Sequence, residues 1–165
     1  MLLRSHYAGS MIYRSPDPLP YTFNHHSIFI AGGISNCPDW QSQVVGLFDA
    51  NIFDVVNPRR VGGFDHTGET AEQQITWEHT ALSLVDSCVF WFPCETLCPI
   101  SLFELGVMLE RASRHSVSLV VGWHEDYQRA FDLQVQIKLA NNAREYVTYA
   151  PGWDQFRKNI TDRWG

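Results

Sequence analysis

The sequence predicts a single α/β domain built on a doubly wound parallel sheet of about five strands, with helices on both faces. Three observations carry that prediction. Several short runs are apolar throughout, such as Ser27–Ile30 (SIFI) and Ser87–Phe92 (SCVFWF), as strands covered on both faces require. Each run ends in glycine or proline, which takes the chain out of a sheet. Longer segments with helical spacing of apolar residues separate the runs, at the interval of strand–helix–strand units.

Residues 1–24, rich in Pro, Ser and Tyr, read as an N-terminal arm or a short edge strand, and residues 25–165 as the domain proper. SIFI is the first strand and Gly32-Gly33 its exit turn. Pro38 and Asp39 open a helix from Trp40 to about Ala50, with Val44, Val45, Leu47 and Phe48 as its apolar positions. Ile52–Val56 is the next strand, stopped by Asn57-Pro58. Residues 57–69 hold Gly62, Gly63 and Gly68 and read as a lid over a strand end. A helix from about Thr70 to Val85 follows, with Ala71, Ile75, Leu82 and Val85 on one stripe and Glu78 inside it. After SCVFWF, Pro99 starts a helix to about Arg114, whose expected inner face is Ile100, Phe103 and Val107, with Glu104 among them. Val117–Val121 and Tyr146–Tyr149 are the remaining strands. Tyr127–Asn141 and Trp153–Asp162 are the remaining helices.

Composition excludes some classes. A net charge of −6 argues against a binder of nucleic acid polymers, which needs a basic face to displace phosphate counterions. A small anion held by a helix N-terminus and an arginine stays open. No run approaches the ~20 apolar residues of a membrane span, and the N-terminus lacks the apolar core of a signal peptide. The four cysteines form no C-x-x-C pair. Cys94 and Cys98 with a histidine are the one conceivable zinc set, and the usual ligand spacings are missing. The reading is a cytoplasmic, reduced protein with no metal and no cofactor.

The chemistry-bearing residues converge on strand ends. Glu78 and Glu104 each occupy a position where the apolar pattern asks for a hydrophobic residue, and acids are seldom buried there without a partner or a task. The competing reading is a surface glutamate, or one paired with an arginine. Two carboxyls about 5 Å apart suit a retaining displacement at a sugar carbon. Gly32 and Gly33 permit close backbone approach to a ligand, or simply a tight turn. Arg59 and Arg60 grip an anion, or form a solvated surface pair. Asp39 adds acidic character near a strand end. Trp40 or Trp77 offers a flat wall for a base, or belongs to the core. His66, in the glycine-rich loop, is within reach of a ligand. Asp86 reads as a turn former.

The chain also resembles a known family. IFIAGG, NPRR, WE…LVDSCVFWFP, CPISLFELG and GWHEDYQRAFDLQVQ, in that order and spacing over about Ser27 to Ala140, resemble the nucleoside 2-deoxyribosyltransferase-like family, in a superfamily with 2′-deoxynucleoside 5′-phosphate N-hydrolases. The resemblance implies a flavodoxin- or Rossmann-like sheet and a nucleoside or nucleotide substrate. It implies that Glu104, in FELG, attacks C1′ of the sugar. It places Glu78 where the N-hydrolases carry an aspartate. Cys98 falls where they hold the 5′-phosphate with a serine, Ser101 being nearer the nucleophile, and Gly32, Gly33 and Ile34 fall on their Gly-Ser-Ile loop. It further implies a homodimer or higher homo-oligomer. The expected activity is N-glycosidic cleavage or base exchange. The alternatives are a non-catalytic nucleotide-binding module and an NAD-type glycohydrolase.

Overall fold

A computed structural model describes residues 11–62, 68–114, 116–141 and 146–165. The chain runs β1 (Ile12–Arg14), β2 (His26–Gly32), α1 (Trp40–Val45), β3 (Phe53–Asn57), α2 (Gly68–Leu84), β4 (Ser87–Phe92), α3 (Pro99–Ser113), β5 (Ser118–Trp123), α4 (Ala130–Asn141), β6 (Val147–Pro151) and α5 (Trp153–Trp164). The six strands form one sheet in the order β1-β3-β2-β4-β5-β6. Every pairing is parallel. The doubly wound prediction therefore holds, with one strand more than expected. The extra strand is β1, the arm laid in register against β3 with Ile12 opposite Val55. Three residues on an edge are too short to announce themselves by periodicity.

Alternation along the strands builds two cores. Ile28, Ile30, Val89, Trp91 and Val120 face α1 and α5. Phe29, Ala31, Cys88, Phe90, Phe92 and Val121 face α2, α3 and α4. Buried Asp54 ties the arm to β3, its carboxylate accepting from the backbone N–H groups of Met11, Asn24 and His25. Asp86 accepts from the Ser27 N–H and hydroxyl at 2.9 and 2.8 Å, so it ties the start of β4 to β2 rather than forming a local turn.

The element boundaries and two helix faces need correction. Helix α1 ends at Val45, well short of Ala50, and Ile52 lies outside β3 and exposed. On α2 the inward residues are Gln74, Trp77, Ala81 and Leu82, while Ile75 is exposed. Leu82 and Val85 of the expected stripe are buried, so the correction falls on Ile75, beside which Gln74 turns inward with its hydrogen bonds met inside. On α3 the inward residues are Ser101, Leu105, Met108, Leu109 and Ala112. Ile100, Phe103 and Val107 are 62%, 73% and 49% exposed. A helix with two apolar stripes does not declare which one meets the sheet. Among the described residues no helix is long and apolar enough to cross a membrane.

Candidate active site

In this strand order the chain leaves β2 for β3 on one side and returns to β4 on the other. Open parallel sheets bind ligands at the carboxyl end of such a reversal. A cavity of about 330 Å³ opens there. That is the small end of the range for small-molecule sites. Its floor is Phe29 and Ala31 to Ser35 from β2 and its exit. Pro58 closes it after β3, Ala71, Gln74, Ile75 and Glu78 come from α2, and Thr96 with Cys98 to Ser101 and Glu104 from the start of α3.

Glu104 reaches the cavity because residues 101, 104, 108 and 112 follow one line down α3, and Ser101, Met108 and Ala112 on that line are buried against the sheet. Glu78 projects from α2 one position past buried Trp77. Both carboxyls are pushed above the usual range. For Glu104 burial is the larger cause and the charge of Glu78 the second, and together they take it to about 8. For Glu78 burial again comes first, opposed by a 2.7 Å hydrogen bond from the Gln74 amide and by the Arg60 guanidinium. The charge of Glu78 is thus felt at Glu104, and both it and burial favour a proton on Glu104 at neutral pH.

Gly32 and Gly33 line the cavity, but their glycine requirement has another source. At Gly32, where φ is +139°, an added Cβ would lie 2.1 Å from the Trp91 carbonyl oxygen. At Gly33 it would lie 2.6 Å from the Pro93 ring and 3.1 Å from the Cys98 sulfur. The two loops are pressed together here, and Ile34 completes this wall. Cys98 starts α3 in a left-handed conformation and its thiol points back to the Thr96 carbonyl, so no side chain caps the helix. The first turn of α3, with buried Ser101, faces the cavity.

Asp39, Trp40, Arg59 and Trp77 lie off the cavity wall. The indole N–H of Trp40 and the amide of Gln41 both donate to the Gly33 carbonyl, at 2.8 and 3.0 Å. Arg59 donates to Gln41 Oε1 and the Pro38 carbonyl and pairs with Asp39 at 3.4 Å. Asp39 caps α1 by accepting from Ser42. These side chains brace the loop after β2, and none of Asp39, Trp40 and Arg59 lines this cavity. Trp77 packs on Phe29 and donates to the Asp17 carbonyl. Neither tryptophan walls a base; the apolar walls are Pro58, Ala71, Ile75 and Ile100. Residues 63–67 of the expected lid, Gly63 and His66 among them, lie outside the described residues. Among the described residues no three histidine, cysteine or acidic side chains gather as a metal site.

Sequence reading missed Gln74, Ser15 and Thr96. For Gln74 a signal existed: it stands four residues before Glu78 on the same helical line.

The family model described as nucleoside 2-deoxyribosyltransferase like matches residues 25–127, more than half of the chain. The chain belongs to the nucleoside 2-deoxyribosyltransferase-like family. A comparison with curated proteins finds no match. The family segment spans β2 through the end of β5, so it contains Gln74, Glu78, Glu104 and every cavity residue named above, while β1 and Ser15 precede it. Enzymes acting on small nucleosides are the general character of the nucleoside 2-deoxyribosyltransferase-like family.

Proposed function

We propose that the protein cleaves or exchanges the N-glycosidic bond of a (deoxy)nucleoside or nucleotide, with Glu104 as nucleophile and Glu78 as its proton partner. The observation that carries this reading is the pair of half-buried acids from two helices, sharing one cavity at the carboxyl end of the sheet. Glu104 passes its proton to ionised Glu78 and bonds to C1′. The C1′–N bond breaks, and the leaving base takes the proton from Glu78. The product is a glycosyl ester on Glu104 and a neutral base. Water or a second base then attacks C1′, gives its proton to Glu78, and frees Glu104. Charge developing on the sugar ring in the transition state is met by a carboxylate already in place.

The test is chromatography of a panel of nucleosides and nucleotides, incubated with and without an acceptor base. Wild type releases or exchanges base, and Glu104→Gln, still folded, turns over at least about a thousandfold more slowly. Equal activity in that variant overturns the assignment. One observation favours a second reading, a binding module: a protonated glutamate is a poor nucleophile. Micromolar binding of a nucleotide recovered intact after long incubation selects it.

The apolar side chains Ile75, Leu97, Ile100, Phe103 and Val107 are exposed, and Ile75 and Ile100 among them line the cavity. They support assembly of the protein as a homodimer or larger homo-oligomer, since a lone surface seldom leaves such a stripe in water. Light scattering of wild type against Phe103→Asp decides it: the variant dissociates, or the reading fails.

A further inference from the structure

Gln74 is almost completely buried and makes four hydrogen bonds through one carboxamide. Its Oε1 accepts from the Ser15 hydroxyl at 2.6 Å and from Arg60 Nε at 2.6 Å. Its Nε2 donates to the Pro58 carbonyl at 3.0 Å and to Glu78 Oε1 at 2.7 Å. Two of these partners are one-way. A guanidinium only donates and a backbone carbonyl only accepts, so the amide has one possible orientation. The end that meets Glu78 is therefore N–H. A flipped amide would set oxygen against oxygen and force Glu78 to carry a proton.

We propose that Gln74 is a positioning residue that holds Glu78 as the ionised member of the acidic pair, that Arg60 and the Pro58 carbonyl set the direction of its amide, and that the Ser15 hydroxyl steadies it. The proposal rests on the reading of the site given above. An N–H donated to a carboxylate favours the charged form. The ionisable groups acting on Glu78 are Arg60, from the loop after β3, which favours its charge, and Glu104, across the cavity on α3, whose own carboxyl the charge of Glu78 raises. Gln74 and Arg60 thus decide which acid is the proton acceptor at the start of the reaction. Ser15 follows β1 and is fixed by its own N–H on the Asn57 carbonyl, so the arm reaches the reacting pair through a single amide.

The test follows the Glu78 carboxyl by 13C NMR titration, assigned with Glu78→Gln, in wild type, Gln74→Met and Ser15→Ala, alongside kcat and KM across pH. In Gln74→Met the Glu78 midpoint moves up, the acid limb of kcat moves up with it, and kcat at the optimum falls roughly tenfold while KM stays within about threefold, the size expected for one charge-assisted hydrogen bond. Ser15→Ala moves both quantities the same way by less, and it decides the question if Gln74→Met does not fold. An unmoved Glu78 midpoint in a folded variant, or a moved midpoint with unchanged kcat, overturns the proposal. A wild type that releases no base from any nucleoside overturns the enzymatic reading, and the titration then still decides whether Gln74 controls Glu78.

Discussion

The two faces of the sheet are made from the same strands and do opposite things. On the α1/α5 face Trp40 packs edge to face on Phe156 and Trp91 on Trp153, the latter rings 4.9 Å apart, while Phe156 lies tilted against Trp91 and Trp153. Gly122 lies so close under Phe156 that an added Cβ would come within 2.5 Å of its ring. On the α2/α3 face two glutamates and a glutamine stand where that packing would continue, and a cavity opens. Aromatic density on one side holds the sheet. The other side has a core of its own, around Phe29, Trp77, Phe90 and Phe92, and keeps charge and space at its carboxyl end. The chemistry is thus confined to one face of the sheet, and variants on the α1/α5 face should report on stability alone.

The largest effect expected on stability is at Phe156. Phe156→Ala should destabilise the fold by about 3–5 kcal/mol, while folded molecules keep their wild-type kcat. A matching loss of kcat at a temperature where the variant is fully folded would show that the two faces are not independent. Glu104→Gln should do the reverse, removing turnover and raising stability in alkaline solution. The sign follows from linkage. The Glu104 carboxyl is raised from near 4.5 to about 8 in the folded chain, so its favourable term is complete at low pH and is lost as pH climbs through that interval. An amide does not titrate. Denaturant curves of the two proteins should converge near pH 4 and separate by a few kcal/mol, of order, at pH 8, with the variant ahead; parallel curves would place the residue-104 carboxyl in water.

The smallest effect is also the most diagnostic. A pair that works with one proton gives a bell-shaped kcat/KM, whose alkaline limb lies near 8 as that proton is lost. Without its partner, Glu104 has to ionise by itself. In Glu78→Gln the residual rate should therefore rise with pH through the range where wild type declines. A bell of the same shape in that variant would remove Glu78 from the proton path.

The strands after β1 and their order along the chain were legible in the sequence, because each is written in a local pattern: an apolar run and a glycine or proline stop. The two glutamates line the cavity as well, but the stripe in which Glu104 was read faces outward, and the acid sits on the line of Ser101, Met108 and Ala112 instead. The facing of α3 was not legible. Ile100, Phe103 and Val107 are as apolar as Leu105, Met108 and Leu109, and only the tertiary structure chooses between them. Gln74 was passed over for the complementary reason: a polar side chain looks external until its partners are known, and those partners are Ser15, Pro58 and Arg60, brought in from elsewhere in the chain. Trp40, Trp77 and Arg59 were placed in the site on residue type, yet their hydrogen bonds are taken up by backbone carbonyls and Gln41.

The close approach of Gly32 to the Trp91 carbonyl bears on how this protein can diversify. No larger residue enters there without parting β2 from β4, so the base of the cavity is closed to variation. New preferences for one base or sugar over another have to arise at the rim, at Ile75, Thr96 and Ile100, where side chains change without touching the strands beneath.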